Sequence, residues 1–338
     1  MNLKCPLKRY KWRFRRCHPC DGTFSLRNLI LNKRGSVCRS DHTPPTPPLP
    51  PMPQIRVGIE WAPLEYPELL DLCATYHIEM VRTRYTWSDY YATKKAYVRP
   101  WDSLTQDSAK YYAMTKSYIE HARKLGIWVH INMFKSQTGF AIPGWSPEEY
   151  SDGAWQQLYD PTNHHLLQHR AHKLTQVIGH PDNVILELFC EPEAREVNEQ
   201  WKDMAHGYLR NVLMQELGWK HEQISTNGNS SRLGERSRAG EYYSFHWTPR
   251  EQFAGLNAQV LGHGCKRAIF STDGKDVGQE HMVAEKQVAL SLGSIYAWWN
   301  SRWGDYHPPN ADYDAGNYHA AEYLEKCWDK NVLRLLGA

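Results

Sequence analysis

From residue 54 onward, short apolar runs alternate with segments in which apolar positions recur every three or four residues. The runs are rich in Val, Ile, Tyr and Phe and read as buried parallel strands; the segments between them read as helices with one face on a sheet. Eight strands are predicted: Ile55–Trp61, Met80–Tyr85, Ile127–Asn132, the stretch opening at Asn183, Gln223–Asn227, Tyr242–Trp247, Arg267–Asp273 and Ser294–Trp299. Helices are predicted from Pro67 through Cys73, over Ser108–Leu125, Thr162–Ile178, Asn198–Leu217 and Val277–Leu292, and roughly from Ala315 to Leu336. Pro67 suits a first helical turn and Gly126 suits the position just past a helix end. Eight such repeats over about 285 residues match an α/β chain folded as a (β/α)8 TIM barrel. The helix between strands five and six is weak, because Ser230–Gly240 is rich in Gly, Ser and Arg. An open doubly wound sheet is the competing architecture. It would call for a glycine-rich phosphate turn after the first strand, where the chain instead reads Glu60-Trp61-Ala62-Pro63, and no P-loop occurs elsewhere.

The residues before the barrel change the domain picture. Thr43–Pro53 holds seven prolines in eleven residues, an extended polyproline spacer and a domain boundary. Residues 1–42 form a basic leader, residues 43–53 the linker and residues 54–338 the large domain. Residues 1–43 carry eleven Lys and Arg against two Asp, a balance of +9, so the overall +3 leaves −6 for the remainder. The large domain is mildly acidic, which argues against a nucleic-acid partner. No run of about 18 uncharged apolar residues occurs, so no membrane span is expected. Arg13, Arg15 and Arg16 interrupt any apolar core of a signal peptide, so either this route of export is not used or the true start differs. Of eight Cys, four (Cys5, Cys17, Cys20, Cys38) lie in the leader. They could hold a small zinc site or belong to a poorly ordered leader, since one Cys17-x-x-Cys20 pair lacks a second. Cys73, Cys190, Cys265 and Cys327 read as buried free thiols.

In a parallel barrel, chemistry sits at the C-terminal strand ends. Those ends carry Glu60 and Trp61, Arg82 and Arg84, His130 and Asn132, Glu191, Asn227, His246 and Trp247, Asp273, and Trp298 and Trp299. A carboxylate leaving a buried apolar strand, as Glu191 does after Asn183–Cys190, tends to a raised pKa, which suits a general acid near neutral pH. Fourteen Trp and twenty Tyr offer flat apolar faces for sugar rings, though aromatic residues also fill cores. No GxSxG elbow is present, and the strand ends hold no Cys/His cluster at metal-ligand spacing, so a metal there is possible but unprompted. Acids flanked by Trp suit glycoside chemistry. Glu187 lies an even number of residues before Glu191, so it is expected to point into the barrel and to pair with Arg82.

The ordered strand ends resemble the clan of retaining glycoside hydrolases with a (β/α)8 barrel that includes the family 5 cellulases. In that clan the fourth strand ends in Asn-Glu-Pro, matched here by Cys190-Glu191-Pro192. The seventh ends in a Glu followed closely by Gly, matched by Ser271-Thr272-Asp273-Gly274. Arg82 or Arg84 matches the clan's Arg on strand two, His246 its His or Tyr on strand six, and Trp298 or Trp299 its Trp on strand eight. The resemblance covers about residues 54–338. Two departures stand out. Cys190 replaces the Asn that normally bonds the sugar 2-hydroxyl, and a thiol is a poor donor and acceptor. Asp273 is one methylene shorter than Glu. Retaining enzymes hold their carboxyls about 5–5.5 Å apart and inverting ones about 6.5–9.5 Å, so the shorter side chain leads to an advanced backbone, a wider gap, or loss of activity.

The resemblance implies a hydrolase of O-glycosidic bonds in a β-linked oligo- or polysaccharide, with no cofactor and no metal. Glu191 is the expected acid/base and Asp273 the nucleophile or stabiliser, with Glu60 and Glu193 as alternate acids. Arg82, Arg84, His130, Asn132, His246 and Asn227 are expected to orient the acids and the sugar, with Trp61, Trp247 and Trp298 as its platforms. Two other readings stay open: a barrel that binds glycan without cleaving it, and a metal-dependent barrel hydrolase.

Overall fold

The structure, a computed structural model, describes residues 51–60, 67–84, 106–134, 159–190, 192, 198–228, 240–246, 248–273, 279–299 and 330–338, without the side chains of Arg84, residues 106–112, Asp273, Gln279 and Trp299. The chain divides into two units, residues 1–48 and 49–338, and only the second contains described residues. The predicted leader and the first part of the proline linker lie outside them.

Eight parallel strands close a barrel in chain order: β1 (Val57–Glu60), β2 (Met80–Arg84), β3 (Trp128–Asn132), β4 (Val184–Glu187), β5 (Ile224–Asn227), β6 (Tyr242–His246), β7 (Arg267–Asp273) and β8 (Ile295–Trp299). Closure pairs Glu60 of β1 with Arg82 of β2 on one side and with Trp299 of β8 on the other. The competing open sheet is thereby overturned. Each strand sits within its predicted range, β7 matching it in full and the others trimmed by one or more residues. Around the barrel lie α1 (Glu68–Thr75), α2 (Gln106–Lys124), α3 (His164–Ile178), α4 (Glu199–Asn211), α5 (Phe253–Gly262), α6 (Gln279–Ser291) and α7 (Lys330–Gly337). Helix α5 is absent from the sequence prediction. Gly255, Asn257 and Gly262 lower its propensity, and it is held by packing of Phe253, Leu256 and Val260. Where a helix was predicted through Leu217, α4 ends at Asn211 and continues as a wider π turn over Val212–Glu216. Between β5 and β6, residues 229–239 lie outside the described residues, as do 300–329, where most of the predicted final helix falls. Among the described residues, no helix is long and apolar enough to cross a membrane.

Alternation along the strands divides the side chains into two cores. Outward positions such as Val81, Val129, Ile131, Leu186, Phe245, Phe270 and Tyr296 join the helix faces in one large cluster. In α3, Leu167, Ala171, Leu174 and Ile178 recur at helical spacing and are buried there. Each larger side chain contributes about 1.5–3 kcal/mol by leaving water. Inward positions form a small plug of Ile55, Met80, Ile185, Ile269, Ile295 and Ala297. Gly58 makes room for that plug: a Cβ there would stand 2.7 Å from Met80 Cε. Gly126 ends the α2–β3 connection with φ +73°, the left-handed geometry its predicted place past the helix requires. At the C terminus, Lys286 Nζ donates to the Leu335 and Leu336 carbonyls at 2.7 and 3.2 Å, satisfying orphan acceptors of α7.

Helix α4 also carries a titration. His206 is buried, stacks 4.5 Å from the Phe189 ring and shares a 2.7 Å hydrogen bond with the Lys202 carbonyl. Burial, only partly offset by that bond, lowers its pKa from 6.5 to about 4. The unfolded chain therefore takes up a proton below pH 6.5, whereas the folded chain does so only near pH 4. Stability is full above pH 6.5 and falls by about 3 kcal/mol as pH drops through that window. Buried His130 acts in the same direction. The urea midpoint of His206→Asn should accordingly fall less steeply from pH 6.5 to 4 than that of the wild type. Parallel slopes would contradict the assignment.

Candidate active site

Above the apolar plug the inward positions turn polar, and the register sets who meets whom. Glu60 pairs across to Arg82, Arg82 to His130, Asn132 to Glu187 and Glu187 to Ser225. Arg82 is the hub. Its Nε donates to Glu187 Oε2 at 2.7 Å and its Nη1 to Glu60 Oε2 at 2.8 Å, while Nη2 lies 2.5 Å from Glu187 Oε2. All three side chains are at most 3% exposed. The expected Glu187–Arg82 pair is present, and Glu60 completes it as a carboxylate–guanidinium–carboxylate triad.

Burial and charge compete within this triad. Burial opposes the charge on Arg82, but Glu187, Glu60 and Cys190 together outweigh it and raise its pKa well above the usual value. For Glu187, burial raises the carboxyl pKa, with Arg82 and His246 pulling it back. His130 is held neutral, its pKa driven well below 6.5 by burial and by the nearby Arg82 and His246. Its Nε2 lies 2.6 Å from Ser225 Oγ, a hydrogen bond, and 3.8 Å from Glu187 Oε2. His246 places Nε2 3.7 Å from Glu60 Oε1. Asn132 is buried and donates to the Phe134 carbonyl at 3.3 Å. Asn227 is buried opposite Ser244 of β6.

The end of β4 departs from plain alternation. After inward Glu187, both Leu188 and Phe189 lie in the outer core. Phe189 stacks on Phe134 at 5.2 Å and packs at a tilt against Tyr159 at 5.0 Å. Two successive residues given to the apolar shell bring Cys190 inward, where its thiol hydrogen-bonds with Arg82. Its own N–H donates to the Phe134 carbonyl at 2.8 Å. The even-offset argument holds for Glu187 and breaks immediately after it, because Phe189 gains more from burial than the strand gains from its period. Cys73, Cys190 and Cys265 are buried thiols outside any disulfide, as expected; Cys327 lies outside the described residues. Burial lifts Cys73 far above the usual thiol range and Cys265 to about 12.

On β8 the expectation is corrected. Trp298 is 5% exposed and belongs to the outer core with Ile59 and Tyr296. The strand rows place residue 299, not 298, level with Glu60 and Asp273, so Trp298 is a packing residue between sheet and helices. Glu191, Glu193, Trp61 and Trp247 lie outside the described residues. For Asp273 and Arg84 the backbone alone is described, at the C-terminal ends of β7 and β2. The fold thus brings together Glu60, Arg82, His130, Glu187, Cys190, Ser225 and His246. Sequence reasoning missed Ser225 and the link from Arg82 to Cys190. Adding strand rows to the period would have exposed Ser225.

No protein-family model matches the sequence, and neither does any of the curated proteins. Solved structures do match. A GH5_18 protein from Streptomyces cattleya, solved in complex with GlcNAc, gives a TM-score of 0.58 at 10% identity over 85% of this chain and 80% of its own. A GH5_18 protein from Bifidobacterium longum subsp. infantis gives 0.53 at 10% identity over 84% and 77%. A structure described as a glycoside hydrolase gives 0.56 at 10% identity over 84% and 69%. At this identity the likeness is one of fold, a closed (β/α)8 barrel.

Proposed function

We propose that the protein is a glycoside hydrolase acting on the O-glycosidic bonds of a β-linked oligo- or polysaccharide. The observation that carries this reading is the closed barrel itself. It gathers the ends of β2, β4, β6 and β7 at one rim, in a fold shared with glycoside hydrolases. In the proposed reaction, Glu191 protonates the leaving oxygen as the anomeric C–O bond breaks. Asp273 attacks the anomeric carbon or stabilises the oxocarbenium ion, and Glu191 then takes a proton from the incoming water. Arg82 and Glu187 supply a buried charged pair at the barrel mouth. Arg84, His246, Asn132 and Asn227 orient the sugar, and Trp61, Trp247 and Trp299 supply its platforms. No cofactor enters the scheme.

One observation favours a second reading. Cys190 replaces an amide that would hold the sugar 2-hydroxyl, and Arg82 is already committed to its thiol, which suits glycan binding without cleavage. The purified protein should release reducing ends from at least one member of a panel of β-linked gluco-, manno- and N-acetylglucosaminyl oligosaccharides. Proton NMR of the first product then reports the anomer: retention if Asp273 reaches the sugar, inversion if a water stands between. Binding by calorimetry with no turnover on any member would replace hydrolysis by the second reading.

A further inference from the structure

We propose that Glu187, Cys190 and His246 form a zinc-binding site at the C-terminal mouth of the barrel. Their ligand atoms, one from each residue, all lie within 4.8 Å of one another. Tetrahedral zinc, with bonds of about 2.3 Å to sulfur and about 2.0–2.1 Å to nitrogen and oxygen, sets its donors roughly 3.3–3.7 Å apart. Binding an ion would draw these donors together by roughly one ångström. The donor set is a thiol, an imidazole and a carboxylate, which suits zinc and leaves a fourth position open.

A second observation comes from Glu187. It is fully buried, Arg82 occupies its Oε2, and its Oε1 has no hydrogen-bond partner among the described residues. A buried carboxylate held by an arginine on one oxygen, with the other turned elsewhere, is oriented as metal ligands are. The formal charges balance. Glu60, Glu187 and the Cys190 thiolate contribute −3, and Arg82 with the ion contributes +3. Entry is open on the side of His246, whose side chain is partly exposed while the other two donors are buried. The site shares Glu187 and His246 with the proposed sugar-binding rim, and its test reads bound metal rather than hydrolysis.

The experiment uses the full chain with Cys5, Cys17, Cys20 and Cys38 each changed to Ser, which removes the leader's thiols as competitors. After dialysis against zinc, metal analysis should find one equivalent bound. Cobalt in place of zinc should show thiolate-to-metal charge-transfer absorption. Cys190→Ser and His246→Gln, each checked for folding by circular dichroism, should lose the bound zinc. Zinc-edge X-ray absorption of the unsubstituted site should show one sulfur among nitrogen and oxygen neighbours, a readout that stands even if a variant fails to fold. Absence of stoichiometric zinc, zinc retained by folded Cys190→Ser, or a metal shell without sulfur would each overturn the proposal.

Discussion

Glu191→Gln should lower the rate of hydrolysis of an unactivated β-linked glycan by about 10²–10⁴-fold, the usual contribution of a general acid or base. The substitution keeps the shape and removes the transferable proton, so KM should change far less than kcat. A sugar carrying nitrophenolate departs without protonation. With that substrate the formation of a glycosyl intermediate should be nearly unaffected, and the loss should move to its breakdown, where Glu191 acts as base. Asp273→Asn should instead suppress both substrates. The β4 end that leads to Glu191 is anchored by Leu188 and Phe189 in the outer core, so these changes need not disturb the barrel. Full activity of Glu191→Gln on the unactivated glycan would remove Glu191 from the reaction. Glu60, held by Arg82, would then be the acid to examine.

Arg82→Met should destabilise the fold by about 3–5 kcal/mol, because it strands two buried carboxylates that share one guanidinium. Glu60 and Glu187 are buried, and both lose the hydrogen bonds that Arg82 donates to them. Taking up protons is their remaining escape, so the loss should be largest above neutral pH and shrink in acid. Methionine fills much of the space, so the stranded charge costs more than the lost volume. Adding Glu60→Gln and Glu187→Gln to Arg82→Met should recover most of the loss, since replacing a whole buried ionic group is often nearly neutral. Urea unfolding of the single and triple variants checks this. A loss below about 1 kcal/mol in Arg82→Met would mean that the triad is not held as an ionic unit.

The barrel is legible in the chain before any coordinates. Its eight strands, their order and their buried character follow from apolar runs of β-branched and aromatic residues, and each observed strand falls within a predicted one. Period-two alternation was also enough to turn Glu187 toward Arg82. That information is local, because burial on both faces of a parallel strand leaves its mark residue by residue. Helix α5 was illegible for the opposite reason: its glycines weaken the local signal, and contacts distant in sequence hold it in place. Three features of the site exist only once the barrel has closed. Glu60 joins the Arg82–Glu187 pair through the register of β1 on β2. Trp298 turns outward and leaves position 299 on the inner row, a choice of parity that two adjacent tryptophans cannot announce. And Glu187, Cys190 and His246 meet from two strands, with 56 residues separating Cys190 from His246. No spacing rule reaches that far. The outer core drew in Leu188 and Phe189 together, and the strand's period gave way to it.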